Sequence, residues 1–577
     1  MWRRTYLLLW FIRLYFAFSP SYLHPDEVFQ GPEVIAGSVL GYPNRKTWEW
    51  TSPTPIRSVF PLWPVYGLPM LLLQWLAPGD SNGNVDPAML YYTLRFVMFM
   101  MSFVLEDWAI HELVHSPLYR RQALVLVASS YVTWTFQTHT FSNSIETLVV
   151  LWSLALMERI LGEKKRSSIG SSAVLGFLLV FGTFNRVTFP AFIMIPALGS
   201  AYLLDRRFSL LAIGLSGLIW TFIAVATDTV YYKPEASDSL SALLAHLFNT
   251  PVITPLNNIR YNSRTSNLAE HGLHPHYQHL VANLPQLLGP ALPLLLSTLY
   301  PFTASNLKAR LSNPRLLSAA TSTAILSIVP HQEPRFLLPC VPLLLTSFPL
   351  PHSGPVATAF WTSWIGFNAI LGALMGVYHQ GGIIPSVLSL PLLIPPALNS
   401  THSGAENIEV FYWKTYPPPN YLLGSAPPRN PVTDQRLNIS LVPLMGIPQS
   451  ELVFILMQHF PTCDPGLVDY ISPHPVPTEV FVAAPLSAWQ LPEDGDGSNS
   501  NATELGPPRL VDPIDPSFSI YFADQRATLG MRSLQVWRRH VNLDDLDVGE
   551  EGLERTVDRV LGHRGLAVWR VERICPV

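Results

Sequence analysis

The sequence predicts an all-α polytopic membrane protein that ends in a small mixed region. Three observations predict it. First, the 577 residues are 49% hydrophobic and only 13% charged, with a mean hydropathy of +0.25, too apolar for a soluble chain. Second, apolar runs approaching bilayer length recur from Tyr6 to Val377. Third, Lys and Arg gather in alternate short loops, the bias that orients membrane spans. The net charge of -4 gives no footprint for nucleic acid. Three cysteines, Cys340, Cys463 and Cys575, make no disulfide framework. Cys340 stands in an apolar run, and Cys463 and Cys575 can pair only if both face an oxidising compartment.

Taken in order, Arg3 and Arg4 place the N-terminus in the cytosol. Tyr6 to Phe18 reads as an uncleaved first span, because Arg13 interrupts it and no small-x-small cleavage site follows. Leu62 to Leu76 is short and carries prolines, so it reads as a juxtamembrane or re-entrant element. Ten further spans follow: Met89 to Val114, Ala123 to Thr138, Ser144 to Leu161, Ile169 to Thr183, Val187 to Leu204, Phe208 to Thr227, Leu284 to Phe302, Leu316 to Val329, Phe336 to Leu350, and Val356 to Val377. With eleven spans, Arg120-Arg121, Lys164-Lys165-Arg166, Arg206-Arg207 and the Lys308, Arg310, Arg315 group all fall on the cytosolic side. The loops 19–88 and 228–283 then face the other compartment, as does everything after the last span.

The expected division is a transmembrane domain over 1–398 and a C-terminal region over 399–577. Acceptor sequons for N-glycans at Asn399, Asn438 and Asn501 agree with that side. Ile383 to Ala397 holds Pro385, Pro391, Pro395 and Pro396 and reads as an interfacial segment. Asp494 to Glu504, all Gly, Ser, Asn and acid but for a few residues, reads as a disordered insert.

This topology sorts the polar residues by side. His24-Pro25-Asp26-Glu27 opens the first non-cytosolic loop, followed by Thr47-Trp48-Glu49-Trp50 and Ile56-Arg57-Ser58. Arg95, His139, Ser142, Asn143, Glu146, Asn185, Arg186, Asp228, His331, Glu333, Arg335 and His379 lie at span ends on the same face. Ionisable groups at membrane depth are costly and usually face a site or the bundle interior. Snorkelling to headgroups suits Lys and Arg but not Asp228, Glu146 or Glu333. Four histidines, His271, His274, His276 and His279, suggest a metal, but Pro275 breaks any single helical face and no Cys or acid lies among them. The expectation is no bound metal.

These motifs resemble the glycosyltransferase family 22 mannosyltransferases. His24-Pro25-Asp26-Glu27 with Phe29-Gln30 and Pro32-Glu33 is similar to their first luminal loop, and Thr47-Trp48-Glu49-Trp50 with Ile56-Arg57-Ser58 to their second motif. Phe141-Ser142-Asn143-Ser144-Ile145-Glu146-Thr147 resembles a third, and His331-Gln332-Glu333-Pro334-Arg335-Phe336-Leu337 a fourth, with Pro334 where many members carry an acid. The segments Thr254 to Asn258, His271 to Pro275, His379 to Gly382 and Phe411 to Tyr416 are similar to the branch that adds the fourth mannose of the glycosylphosphatidylinositol (GPI) precursor. The resemblance runs to about Leu423. It implies a GT-C fold, a multi-pass enzyme of the endoplasmic reticulum membrane with a luminal site, and dolichyl phosphate mannose as donor without a cofactor. The implied reaction is α-1,2 transfer to the third mannose of the GPI precursor.

A β-linked donor and an α-linked product require inversion, hence one carboxylate to take the acceptor proton. Asp26 is the expected base, with Glu27 as its alternate. His331 and Arg335 are expected at the donor phosphate, since a guanidinium suits bidentate contact with its oxygens. His24, Glu49, Arg57, Trp48, His271 and His274 are expected to position the acceptor. A third-mannose or dolichol-oligosaccharide enzyme is the alternative within the class. A lipid transporter is the alternative outside it, but the cytosolic edge lacks the acids a pathway would need.

Overall fold

A computed structural model describes residues 2–76, 85–162, 168–199, 206–351, 353–401, 403–459, 478–488, 529–543 and 552–573. Lys164, Cys463, Cys575, Asn501 and the 494–504 insert lie outside the described residues. The chain divides into two compact units. The first comprises Met1–Phe18, Asp26–Val85 and Met89–Ala373; the second comprises Ser19–Pro25, Asp86–Ala88 and Leu374–Val577.

The first unit is helical. Helix α1 runs Trp2–Ala17. The motif region forms short helices: α2 (Asp26–Phe29), α3 (Pro32–Leu40) and α4 (Trp48–Thr51). Helix α5 (Leu68–Leu76) follows a π turn. Helix α6 covers Pro87–Leu113, again through a π turn. Helix α7 (Ser142–Gly162) is buried around most of its circumference, as expected of a helix apolar on all faces at the centre of a bundle. Its N-terminal turn therefore delivers Ser142, Asn143 and Glu146 to the interior.

Helix α8 (Ile169–Asn185) packs on α7 and on α9 (Arg207–Tyr232). Gly176 permits the close approach of α8 and α9, since a Cβ there would lie 2.5 Å from the carbonyl oxygen of Ile213. Asp228, expected just past its span, instead sits in the last turn of α9.

Among the described residues, four helices are long and apolar enough to cross a membrane: Pro87–Leu113, Arg207–Tyr232, Pro355–Tyr378 and Ile383–Thr401. A bent pair, His279–Leu288 with Ala291–Ser297, would add a fifth. Of the other expected spans, Ser144 to Leu161 is the continuous 21-residue helix α7, and the rest, among the described residues, are shorter or broken helices. Phe336 to Leu350, for example, holds a 3-10 turn at Pro334–Leu337 and a helix of 6 residues at Cys340–Leu345, where Pro339 and Pro342 remove backbone donors. The segment from Ile383, expected as interfacial, is a continuous 19-residue helix, α10 (Ile383–Thr401), with Pro391, Pro395 and Pro396 inside it. Asn399 lies on this helix.

The second unit contains α10 and a five-stranded sheet. Strands β1 (Asn407–Trp413), β2 (Asn438–Met445), β3 (Thr478–Pro485), β4 (Leu529–Trp537) and β5 (Leu566–Arg573) take the order β2-β1-β3-β5-β4. Strand β1 pairs parallel with β2 and β3, and β5 pairs antiparallel with β3 and β4. Helix α11 (Gln449–His459) lies between the parallel β2 and β3 in sequence, the crossover such strands require. Alternate residues Val480, Val482 and Ala484 of β3 and Ala567, Trp569 and Val571 of β5 face Leu452 and Leu456 of α11. Asn438 opens the edge strand β2 and is exposed, so this sequon is sterically open.

The chain beyond β4 returns to the turn before α10. Val541 N–H donates to the Tyr378 carbonyl at 2.8 Å, and Gln380 N–H to the Val541 carbonyl at 3.0 Å. Gly382 N–H donates to His540 Nδ1 at 3.2 Å. A Cβ on Gly382 would stand 2.7 Å from the Leu566 Cβ and 3.1 Å from that of His540. Gly382→Ala is therefore expected to overpack this junction and destabilise the second unit by about 1–3 kcal/mol. A lower midpoint of thermal unfolding in detergent, with faster proteolysis in the sheet, is the expected readout.

Candidate functional site

The site is built on α2. A four-residue helix cannot hold itself in water, so side chains from elsewhere fix it. Pro25 restricts the backbone ahead of it. Gln30 N–H closes the turn on the Asp26 carbonyl at 3.3 Å, which puts the two side chains on one face. The Gln30 amide donates to the Asp26 carboxylate and, at 3.3 Å, to Glu49 Oε2. Glu49 Oε1 receives both Nε and Nη2 of Arg57, at 2.9 and 2.8 Å. One amide thus links Asp26 to the Glu49–Arg57 pair.

On its other side Asp26 Oδ2 meets Arg335 Nη1 at 2.5 Å. Arg335 also donates from Nη2 to Glu333 Oε1 at 2.9 Å, and its Nε pairs with the same carboxylate. Burial works against the Arg335 charge, but Asp26 and Glu333 outweigh it and raise the pKa above the usual value. His331 Nε2 lies 3.0 Å from Glu333 Oε1 and its Nδ1 lies 3.1 Å from the Gly272 carbonyl. The bond to Glu333 raises the His331 pKa against the effect of burial. Asn143 of α7 donates to the Arg335 carbonyl at 3.0 Å. Arg186 donates to Ser142 Oγ at 2.9 Å and pairs with Glu146 at 3.2 Å. Burial lowers its pKa to about 10, so it stays charged near neutrality.

Glu27, the neighbour of Asp26, points the other way. Its carboxylate lies 2.6 Å from His139 Nδ1, and Arg95 Nη1 approaches the same nitrogen at 3.0 Å. Thr140 Oγ1 donates to the Glu27 carbonyl at 2.6 Å. Burial, reinforced by Arg95, pushes the His139 pKa well below its usual value. The side chain of Glu27 is 3% exposed, against 23% for Asp26. Only Asp26 opens toward solvent.

The Arg57 loop is held from beneath. Asp228 accepts from Ser58 Oγ and Val59 N–H, both at 2.9 Å, and from Thr254 Oγ1 at 2.8 Å. Tyr232 donates to the Arg57 carbonyl at 2.6 Å. Asp228, flagged in sequence as part of the site, is therefore a fully engaged clamp for the loop.

The structure brings Asp26, Glu49, Arg57, His331 and Arg335 into one connected network. His274 and His271 flank His331, with ring centroids 6.0 and 5.9 Å away, and Trp48 lies 5.6 Å from His271. His24 belongs to the second unit, where its ring lies 6.1 Å from that of Tyr416. Among the described residues no group of three or more His, Cys, Asp or Glu is arranged to hold a metal ion. Gln30 and Glu333 were not assigned a role from sequence. The signal was present in both cases: Gln30 stands four residues after Asp26, and Glu333 lies between His331 and Arg335.

The model of the Alg9-like mannosyltransferase family matches residues 4–423. The chain is 47% identical over 585 residues to GPI mannosyltransferase 4 of Aspergillus oryzae, covering 99% of each. It is 47% identical over 588 residues to GPI mannosyltransferase 4 of Emericella nidulans, covering 99% of this chain and 98% of that one. Among solved structures, ArnT from Cupriavidus metallidurans bound to undecaprenyl phosphate aligns over 92% of this chain and 95% of its own, at 12% identity and a TM-score of 0.44. With a family match from residue 4 through 423 and near-full-length relatives at this identity, the chain belongs to the Alg9-like mannosyltransferase family.

Proposed function

We propose that this enzyme transfers a fourth mannose, in α-1,2 linkage, from dolichyl phosphate mannose to the third mannose of the GPI precursor on the luminal face of the endoplasmic reticulum. The family and the names of relatives at 47% identity, GPI mannosyltransferase 4, support the reaction class and the acceptor. The donor, linkage and compartment rest on the motif resemblance. The observation that carries the mechanism is the contact between a partly open carboxylate, Asp26, and a guanidinium, Arg335.

In the proposed step the acceptor hydroxyl attacks the anomeric carbon from the face opposite the phosphate. The new C–O bond forms as the bond to the phosphate oxygen breaks, and that electron pair leaves with dolichyl phosphate. Asp26 takes the hydroxyl proton. Arg335 and protonated His331 stabilise the phosphate charge. Because Arg335 already serves Asp26 and Glu333, a bound phosphate competes for it and frees Asp26 for the acceptor. Glu49 and Arg57, with Trp48, His271 and His274, hold the acceptor side. Glu27, enclosed by His139 and Thr140, orients α2 instead of touching substrate.

The direct test is a microsomal assay with labelled dolichyl phosphate mannose and a three-mannose GPI acceptor. Absence of α-1,2 product with an active donor would defeat the proposal. In the same assay Asp26→Asn should lose about 10²–10⁴ in turnover at equal membrane abundance. Glu27→Gln should lose less. Collapse in Glu27→Gln with a normal Asp26→Asn would exchange their roles.

Arg335→Lys keeps the charge but loses the fork, so the donor KM should rise more than the acceptor KM. An unchanged donor KM would remove Arg335 from the phosphate. The His331 ring faces Glu333, Arg335, His271 and His274. Its raised pKa keeps it protonated to a higher pH than an ordinary imidazole, so donor binding should weaken as pH climbs through that raised value. Glu333→Gln removes the main cause, and the weakening should then begin at lower pH. A donor KM profile indifferent to Glu333 would exclude His331 as a charged ligand.

A further inference from the structure

Two indoles stand two residues apart in α4, in opposite circumstances. Trp50 is 3% exposed, and its Nε1 donates to the Phe29 carbonyl at 3.0 Å. Its role is to fasten α4 to α2. Trp48 is 41% exposed. Its ring centroid lies 4.8 Å from that of Tyr261 and 5.6 Å from that of His271. Those two rings lie 6.1 Å from each other, and the Tyr261 hydroxyl is 3.0 Å from His271 Nε2. The three separations make a nearly equilateral triangle. Rings on opposite faces of Trp48 would be separated by nearly the sum of the first two distances. Tyr261 and His271 therefore sit on the same side of the indole and brace it, which leaves the opposite side open.

His271, on the braced side, is the neighbour of His331, with centroids 5.9 Å apart. Trp48 is thus linked toward His331 through His271, on its braced side. Its backbone continues into Glu49, which Arg57 holds and which Gln30 joins to Asp26. A rigid, braced aromatic face in a polar loop matches the C–H face of a pyranose, whose rim hydroxyls would meet the surrounding polar groups.

We infer that the free face of Trp48, braced by Tyr261 and His271, is a stacking platform for a mannose of the acceptor glycan. This rests on the function proposed above and deepens it. A pyranose could come from either substrate. The place of Trp48 next to Glu49, which Gln30 joins to the proposed base Asp26, assigns it to the acceptor. Placed beside Glu49, it would grip the acceptor behind the sugar whose hydroxyl reaches Asp26.

The test compares Trp48→Phe, which keeps an aromatic face, with Trp48→Leu, which keeps apolar bulk without one. Donor and acceptor are titrated separately in membranes. Trp48→Leu should raise the acceptor KM about tenfold, the scale of one aromatic contact, with the donor KM within about twofold. Trp48→Phe should recover most of the loss. Equal acceptor KM in the Leu variant and the unmodified enzyme would overturn the platform, as would equal recovery by Leu and Phe. A rise confined to the donor KM would also overturn it.

Direct binding of a soluble α-mannotriose to the purified enzyme is measured alongside. Weaker binding by Trp48→Leu than by Trp48→Phe supports the platform even if no transfer is seen, so the two readings fail separately. Should the Leu variant not accumulate, Tyr261→Ala, which removes part of the brace, should weaken mannotriose binding. Unchanged binding in that variant would overturn the role of the brace.

Discussion

Asp26 and Arg335, 2.5 Å apart, bind the first motif of the chain to the last one in the helical unit. Around that contact every charge has a partner: Glu333 shares Arg335, His331 lies on Glu333, and Arg57 holds Glu49. Enclosed charges without partners would be strongly destabilising. The compensation is local, and it is made from residues that the chain brings from distant loops. On the function proposed here, an incoming phosphate enters a network already neutralised. It therefore has to displace a carboxylate from Arg335, which would couple arrival of the donor to release of Asp26.

The adjacent acids Asp26 and Glu27 illustrate how environment separates like residues. Consecutive side chains on a helical turn diverge, so one meets Gln30 and Arg335 while the other meets the buried His139, itself in contact with Arg95, and Thr140 holds the Glu27 carbonyl. The buried contacts of Glu27 anchor a helix too short to persist alone. Asp26 is the more open of the two, which is why the proposed mechanism makes it the base. Supporting residues extend the same logic: Asp228 and Tyr232 fix the loop of Arg57, and Asn143 fixes the backbone of Arg335. Such positioning matters because misplacement of reacting groups by about 1 Å can cost on the order of 10²-fold in rate.

The second unit follows different physics. Its sheet is enclosed by α11 on one face, while Tyr412 of β1 meets Ser386 of α10 at 2.9 Å on the other. The long apolar character of β3 follows from burial on both sides. Most of this unit lies beyond the matched family region, which ends at residue 423. The junction at Gly382, where no side chain fits, nevertheless joins β5 and the chain after β4 to the start of α10.

The sequence by itself determined the class of protein, the motifs and most of the residues that meet at the site. Apolar content and charge bias depend on composition and local order, and a motif is a local string. Helix α7 and the motifs that supply Asp26, Glu49, Arg57, His331 and Arg335 are legible in that way. What the sequence left open was continuity. Prolines suggested that the segment from Ile383 would not form a long helix, yet α10 is unbroken, because neighbouring contacts stabilise a helix whose local hydrogen bonds are incomplete. Conversely, several apolar runs read as spans are short or bent helices. Tertiary structure alone decided which acid is open, that Gln30 and Glu333 complete the network, and that an exposed Trp48 stands against Tyr261 and His271. These depend on which side chains from remote segments share a few ångströms. Periodicity and composition report a residue's own surroundings along the chain, and partners at that range are chosen only when the segments pack.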